Sequence, residues 1–240
     1  MIHVGTSGYN YPEWKGRFYP ATLAATKMLP YYAERFSTVE INYTFYRAPT
    51  EKILDGWHRA TPDRFALTLK APRRITHDAR LRDCADHLRQ FVDISATLGP
   101  KRGALLFQLP PNLKKDLGLF DRFLEGFPPR VRAAFEFRHL SWLEDDVYER
   151  LRARNLALCV ADSEKLSTPV TITADYGYFR LRDEGYTPGD IARWADTIAE
   201  RTQSCRDVFV YFKHEESGKG PEFARLLMQK LGLPAAPSQT

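Results

Sequence analysis

Strand-like and helix-like stretches alternate along this chain from one end to the other. Short runs that suit strands are Met1–Ser7, Thr38–Asn42, Phe65–Lys70, Gly103–Leu109, Arg132–Arg138, Leu156–Ala161, Gly177–Leu181 and Asp207–Phe212. Stretches with helical spacing separate most of them: Leu29–Phe36, Glu51–Ala60, Asp83–Leu98, Leu117–Gly126, Glu144–Asn155, Thr187–Ala199 and Pro221–Leu231. Pro72, Gly99-Pro100, Pro110-Pro111 and Pro128-Pro129 punctuate the boundaries. Thr50 is placed to cap the helix that follows it. Parallel strands need a crossover between them, and a helix is the usual one, so this order implies a parallel sheet. The expected fold is α/β, a single-domain (β/α)8 barrel of the TIM type with room for irregular units, over residues 1–232. A flexible tail is expected over 233–240. The alternative, a doubly wound open sheet, needs a longer glycine-rich phosphate turn than Gly5-Thr6-Ser7-Gly8.

The strands carry a second pattern. In Thr38-Val39-Glu40-Ile41-Asn42 the apolar and polar residues alternate, so Glu40 and Asn42 face away from Val39 and Ile41. Lys70 stands opposite Leu69, Gln108 opposite Phe107 and Leu109, Glu136 and Arg138 opposite Phe135 and Phe137, and Arg180 opposite Phe179 and Leu181. Each polar residue sits at the carboxyl end of its strand, which in (β/α)8 enzymes is where sites form. The expected site is therefore Ser7, Glu40, Asn42, Lys70, Gln108, Glu136, Arg138, Asp162, Arg180 and Lys213, converging on one mouth. Unpaired buried charge costs several kcal/mol, so these groups either pair with one another or await a ligand. One pairing is Glu40 with Lys70 and Glu136 with Arg138 or Arg180, a network that only sets strand register. The other reading is a site in which Glu40 and Glu136 act as acid and base, Lys70 as an amine nucleophile, and Arg138, Arg180 and Lys213 as anion holders.

Loops after the strands hold Tyr9, Tyr11, Trp14, Tyr43, Tyr46 and Trp142. These rings either line the mouth and stack on a ligand, or pack the long first loop as the core of a lid. Arg73 to Leu81 reads as a polar loop carrying His77, and His139 opens the loop after the fifth strand. No spacing of the His-Glu-x-x-His kind occurs, and the pattern calls for no metal and no cofactor. Ser7 lacks a Gly-x-Ser-x-Gly elbow, which argues against a serine hydrolase.

Charge and composition narrow the partners. The net charge is +5 and the pI about 9.1, with arginines at Arg73, Arg74, Arg80 and Arg82. The basic excess is spread among acids, so nucleic acid is a weaker expectation than a small anionic or polar ligand. No apolar run approaches the roughly 20 residues of a membrane span, and a strand pattern begins at once with Ile2-His3-Val4, so no membrane and no signal peptide are expected. Cys84, Cys159 and Cys205 are odd in number and widely spaced, which suits a reducing cytoplasm; Cys159 reads as a buried small hydrophobe.

Several strings taken together carry a resemblance. They are Gly5-Thr6-Ser7-Gly8-Tyr9, Gly16-Arg17-Phe18-Tyr19-Pro20, Thr38-Val39-Glu40-Ile41-Asn42 with Phe45-Tyr46, Lys70-Ala71-Pro72 with Ile75-Thr76-His77, Phe107-Gln108-Leu109-Pro110-Pro111, Glu136-Phe137-Arg138-His139 with Ser141-Trp142, and Ala161-Asp162. The chain resembles the YecE-like family, domain of unknown function 72, over nearly its whole length. The resemblance implies a TIM-type barrel of cytoplasmic proteins and no established activity. Two strings depart from the family's habit. Arg182-Asp183 stands where a His-Gly pair is frequent, and Lys213-His214-Glu215 where Asn-Asn-Asp is frequent.

Overall fold

In the computed structural model residues 1–163, 166–214 and 218–234 are described. Apolar runs rich in β-branched and aromatic residues form β1 (Ile2–Ser7), β2 (Thr38–Ile41), β3 (Ala66–Lys70), β4 (Arg102–Gln108), β5 (Ala133–Glu136), β6 (Ala157–Asp162), β7 (Tyr176–Leu181) and β8 (Asp207–Phe212). Each strand pairs in parallel with the next, and β8 pairs with β1, so the sheet closes into a barrel. Around it lie α1 (Met28–Ala33), α2 (Tyr43–Tyr46), α3 (Glu51–Arg59), α4 (Ala85–Ser95), α5 (Leu117–Glu125), α6 (Asp145–Ala153), α7 (Pro188–Arg201) and α8 (Lys219–Lys230). The strand ladder of the sequence is thus the strand ladder of the fold.

Period-two alternation separates the two faces of each strand. Val39, Ile41, Leu67, Leu69, Phe107, Phe135, Phe179 and Val210 point outward into the layer between strands and helices. Ala104, Leu106, Ala134, Ala157, Cys159, Tyr178, Phe209 and Tyr211 fill the barrel interior. Cys159 is fully buried there, as its apolar run suggests. Each large outward side chain taken out of water contributes about 1.5–3 kcal/mol, and this layer supplies most of the stabilisation. Helix starts follow the local chemistry. Thr50 Oγ1 accepts from the Ile53 amide at 3.4 Å, Asp116 from the Leu119 amide at 2.9 Å, and Thr187 with Asp190 forms a reciprocal capping box.

The regular alternation breaks after β6. Among the described residues no helix lies between β6 and β7; the chain there forms neither helix nor strand and turns at Pro169–Thr171. Pro169-Val170-Thr171-Ile172-Thr173 is poor in helix formers, which explains the choice. Val170 and Ile172 pack on the outer core as a helix would, and Thr173 Oγ1 accepts from the Leu158 amide and donates to the Leu156 carbonyl, both at 2.7 Å.

One loop differs from expectation, and another takes one of the two readings open to it. The polar loop expected from Arg73 to Leu81 contains a wide π-helical turn, Arg74–Asp78, because Ile75 and Thr76 are drawn into the core. The first loop is a packed unit. Trp14 is buried among Tyr11, Phe18 and Tyr19, and Phe18 continues the cluster to Tyr32 and Phe36. Those rings form a lid core and do not line the mouth. The expected tail lies outside the described residues from position 235 onward, as does Glu215. Among the described residues no helix is long and apolar enough to cross a membrane.

Candidate functional site

The inward positions at the carboxyl ends of the strands bring Ser7, Glu40, Lys70, Gln108, Glu136 and Arg180 together. Register makes this possible: Ser7 lies level with Glu40, and Gln108 with Glu136. Arg180 enters from β7 on the far side of the barrel, and its side chain is 1% exposed. Its Nη2 donates to Glu40 Oε1 at 2.8 Å and to Ser7 Oγ at 3.2 Å, and its Nη1 donates to Glu136 Oε2. One guanidinium therefore ties both carboxylates. This differs from the pairing of Glu40 with Lys70 that charge alone suggests. Arginine's planar fork reaches two acceptors at once, which an ammonium on one stem does not.

Glu40 is saturated. Besides Arg180 it accepts from Ser7 Oγ and from the Tyr178 hydroxyl at 2.6 Å, while Asn42 Nδ2 donates to Ser7 Oγ at 2.9 Å. Glu136 accepts from Gln108 Nε2 at 2.8 Å and Arg182 Nη1 at 3.2 Å, with Arg138 Nε at 3.7 Å. Burial alone would raise the Glu136 carboxyl, but Arg180, Arg182 and Arg138 outweigh it and hold the group down to about 2. Both carboxylates are buried, 0% and 1% exposed, so they form the floor of the mouth.

Above that floor opens a cavity of about 320 Å³, lined by Lys70, Arg73, Arg138, Arg180, Arg182 and Lys213 together with Phe45, Tyr46, His77 and Gln108. Among the described residues no acidic side chain lines it. Lys70 donates to Gln108 Oε1 at 2.9 Å, and its Nζ lies 4.2 Å from the centre of the Phe45 ring. Burial, then the Arg180 and Lys213 charges, push the Lys70 amine down to about 7, against the pull of Glu136 and Glu40. Burial and the Lys70 charge likewise lower His77, which packs edge-on against Phe45 and shares a hydrogen bond with Thr76.

Four expected residues lie elsewhere. Asp162 follows Ala161, the inward residue of β6, so parity turns it outward. It accepts there from Tyr186 at 2.6 Å, Ser167 at 2.7 Å and Trp194 at 3.3 Å. Trp142 is fully buried, stacked on Phe137 at 4.9 Å, with Nε1 donating to the Leu113 carbonyl at 2.7 Å. His139 caps the turn Leu140–Trp142 by accepting from the Ser141 amide. Tyr9 packs on Tyr32 in the first loop. Tyr178, absent from the sequence reading, and Arg182, noted there only as a departure from the family pattern, complete the site. They flank Arg180 at positions of the same parity, which is the signal that marks them. Phe45 and Arg73 come from short helical turns, where no strand period applies. Among the described residues no group of His, Cys, Asp and Glu is disposed to hold a metal ion.

A family model described as "Protein of unknown function DUF72" matches residues 3–240. The chain belongs to the DUF72 family. It is 30% identical over 157 residues to the UPF0759 protein YecE of Escherichia coli K12, a match covering 65% of this chain and 55% of that protein. The match thus spans about half the length of that relative. UPF0759 protein YunF of Bacillus subtilis strain 168 is 24% identical over 272 aligned positions, covering 97% of this chain and 95% of YunF. Among solved structures, a DUF72 family protein of Thermotoga maritima superposes with a TM-score of 0.87 at 26% identity, over 97% of this chain and 99% of that one. A DUF72 family protein of Enterococcus faecalis reaches 0.81 at 18% identity over the full length of both, which shows the shared fold. DUF72 membership and the closed barrel agree with the expectation from sequence.

Proposed function

We propose that this DUF72 protein is an enzyme that binds a small anionic metabolite, one carrying a phosphate or carboxylate, in the cavity at the carboxyl-terminal mouth. One observation carries the reading: Lys70, Arg138, Arg180 and Arg182 face a floor whose carboxylates are Glu40 and Glu136. Arg180 neutralises one carboxylate and Arg182 or Arg138 the other, so positive charge is left over toward the cavity. An added anion balances it through charge-assisted hydrogen bonds. Tyr46, 76% exposed, stands at the rim beside Phe45 and offers a face to a planar part of the ligand. Turnover is supported by Lys70, whose amine exchanges a proton near neutrality inside the cavity. Glu136, held ionised in the floor, serves in this reading to orient Arg180, Arg182 and Gln108, in place of the acid-base role its residue type suggests.

Calorimetric titration with inorganic phosphate tests the proposal. The protein binds phosphate in competition with sulfate, and Arg138→Met with Arg182→Met weakens that binding at least about tenfold. No phosphate binding, or binding unchanged in the double variant, overturns it. Tight binding of an oligonucleotide with a steep salt dependence, unaffected by the double variant, would instead favour a nucleic-acid binder using the surface arginines.

A further inference from the structure

Lys70 differs from Lys101 and Lys115 in what surrounds its nitrogen. Lys101 Nζ donates to the His58 and Thr61 carbonyls, each at 2.7 Å, and lies 3.9 Å from Asp63. Lys115 is bound by Glu144 and Asp146. Lys70 Nζ has the Gln108 amide oxygen, the face of Phe45 and the open cavity. The charged groups facing it are Arg180, Lys213, Glu136 and Glu40, and His77 and Arg73 share the cavity wall.

Gln108 is not at liberty to turn. Its Nε2 donates to Glu136 Oε2, which fixes the amide so that Oε1 faces Lys70. One amine hydrogen is thereby directed at Oε1, which leaves the lone pair of the neutral amine free to turn toward the cavity. From this geometry we infer that Lys70 is a nucleophile that forms an imine with an aldehyde or ketone bearing a phosphate or carboxylate, the charged group resting on Arg138 and Arg182. The inference rests on the anion-binding reading above and names its substrate class.

The step balances without an oxidant or reductant. The Lys70 lone pair forms a bond to the carbonyl carbon, and the carbonyl π pair moves to oxygen. That oxygen departs as water, carrying one hydrogen from the nitrogen and one proton from solvent. The nitrogen keeps its remaining hydrogen in a protonated imine, which bears the same charge as the ammonium form and meets the same Gln108 acceptor. A lysine becomes competent for this when burial and cationic neighbours keep it neutral near pH 7, and both conditions hold here.

Dihydroxyacetone phosphate and pyridoxal 5′-phosphate, each reduced in place with borohydride, are the probes, and peptide mapping reads the modified lysine. The expected result is adduct formation from both reagents at Lys70, at least tenfold above any other lysine. Inorganic phosphate should suppress it and Lys70→Arg abolish it. Gln108→Leu, which releases the amine from its acceptor, should slow adduct formation severalfold while phosphate still binds. Two failures are distinguishable. If phosphate binds by calorimetry but the adducts scatter over other lysines, the imine inference is overturned and the anion site survives. If neither phosphate nor the phosphorylated carbonyls bind, both are overturned.

Discussion

Replacing Glu136 by Gln probes the floor of the site through its charge. In the folded protein the carboxyl is held down to about 2 from an ordinary value of 4.5, by Arg180, Arg182, Arg138 and the Gln108 amide acting against burial. A depressed carboxyl contributes stability that is present above its unfolded value and is lost as pH falls toward its folded value. The depression corresponds to a contribution on the order of 3 kcal/mol at neutral pH. Glu136→Gln is an approximate mimic of the protonated state, so it forfeits that amount at pH 7. It also leaves Arg182, whose Nη1 donates to Glu136 Oε1, without a carboxylate. The expected shift in the urea midpoint is on the order of 1 M with the slope unchanged. The variant and the parent are then compared from about pH 7 down toward about pH 2, because the contribution is lost as pH falls from 4.5 to about 2. Their stabilities should converge over that descent, beginning near 4.5. A neutral-pH difference under about 1 kcal/mol, or a difference that stays constant as pH falls, would refute the account of Glu136 as an ionised anchor.

Lys70→Met carries the opposite sign. The lowered Lys70 amine means that between about 7 and 10.5 the unfolded chain binds a proton that the folded chain does not, so the parent gains stability as pH rises through that window. The variant lacks this gain and should be the more stable protein below pH 7, by about 1–3 kcal/mol in chemical denaturation, with the two converging at high pH. Asp162→Ala removes the acceptor of Tyr186, Trp194 and Ser167 and should cost about 1–3 kcal/mol while leaving phosphate affinity within about twofold, because its carboxylate faces away from the mouth. Thr187→Ala breaks the capping box of α7 and should cost about 1 kcal/mol, read as a melting point lower by roughly 2–4 °C.

The convergence of the site rests on parity, and parity is local information. Glu40, Gln108, Glu136 and Arg180 share the inward face of their strands because each stands one residue from an apolar neighbour that must meet the helices. A strand cannot turn one side chain without turning all. The same rule, applied to β6 from Cys159 and Ala161, would have sent Asp162 outward. The rule has nothing to say about Phe45 or Trp142. They leave their strands into turns, where direction depends on what the turn packs against, and Trp142 is captured by Phe137 and Phe120.

From sequence alone, then, came the order of the strands, the faces they present and the DUF72 resemblance, since each depends on residue spacing within a few positions. Only the closed barrel decided which charges meet. Arg180 stands 140 residues from Glu40 and 44 from Glu136, yet bonds both. That choice required the curvature that brings β7 across from β2 and β5. It also left Lys70 with an amide and an aromatic face in place of a carboxylate, because the guanidinium had already taken both.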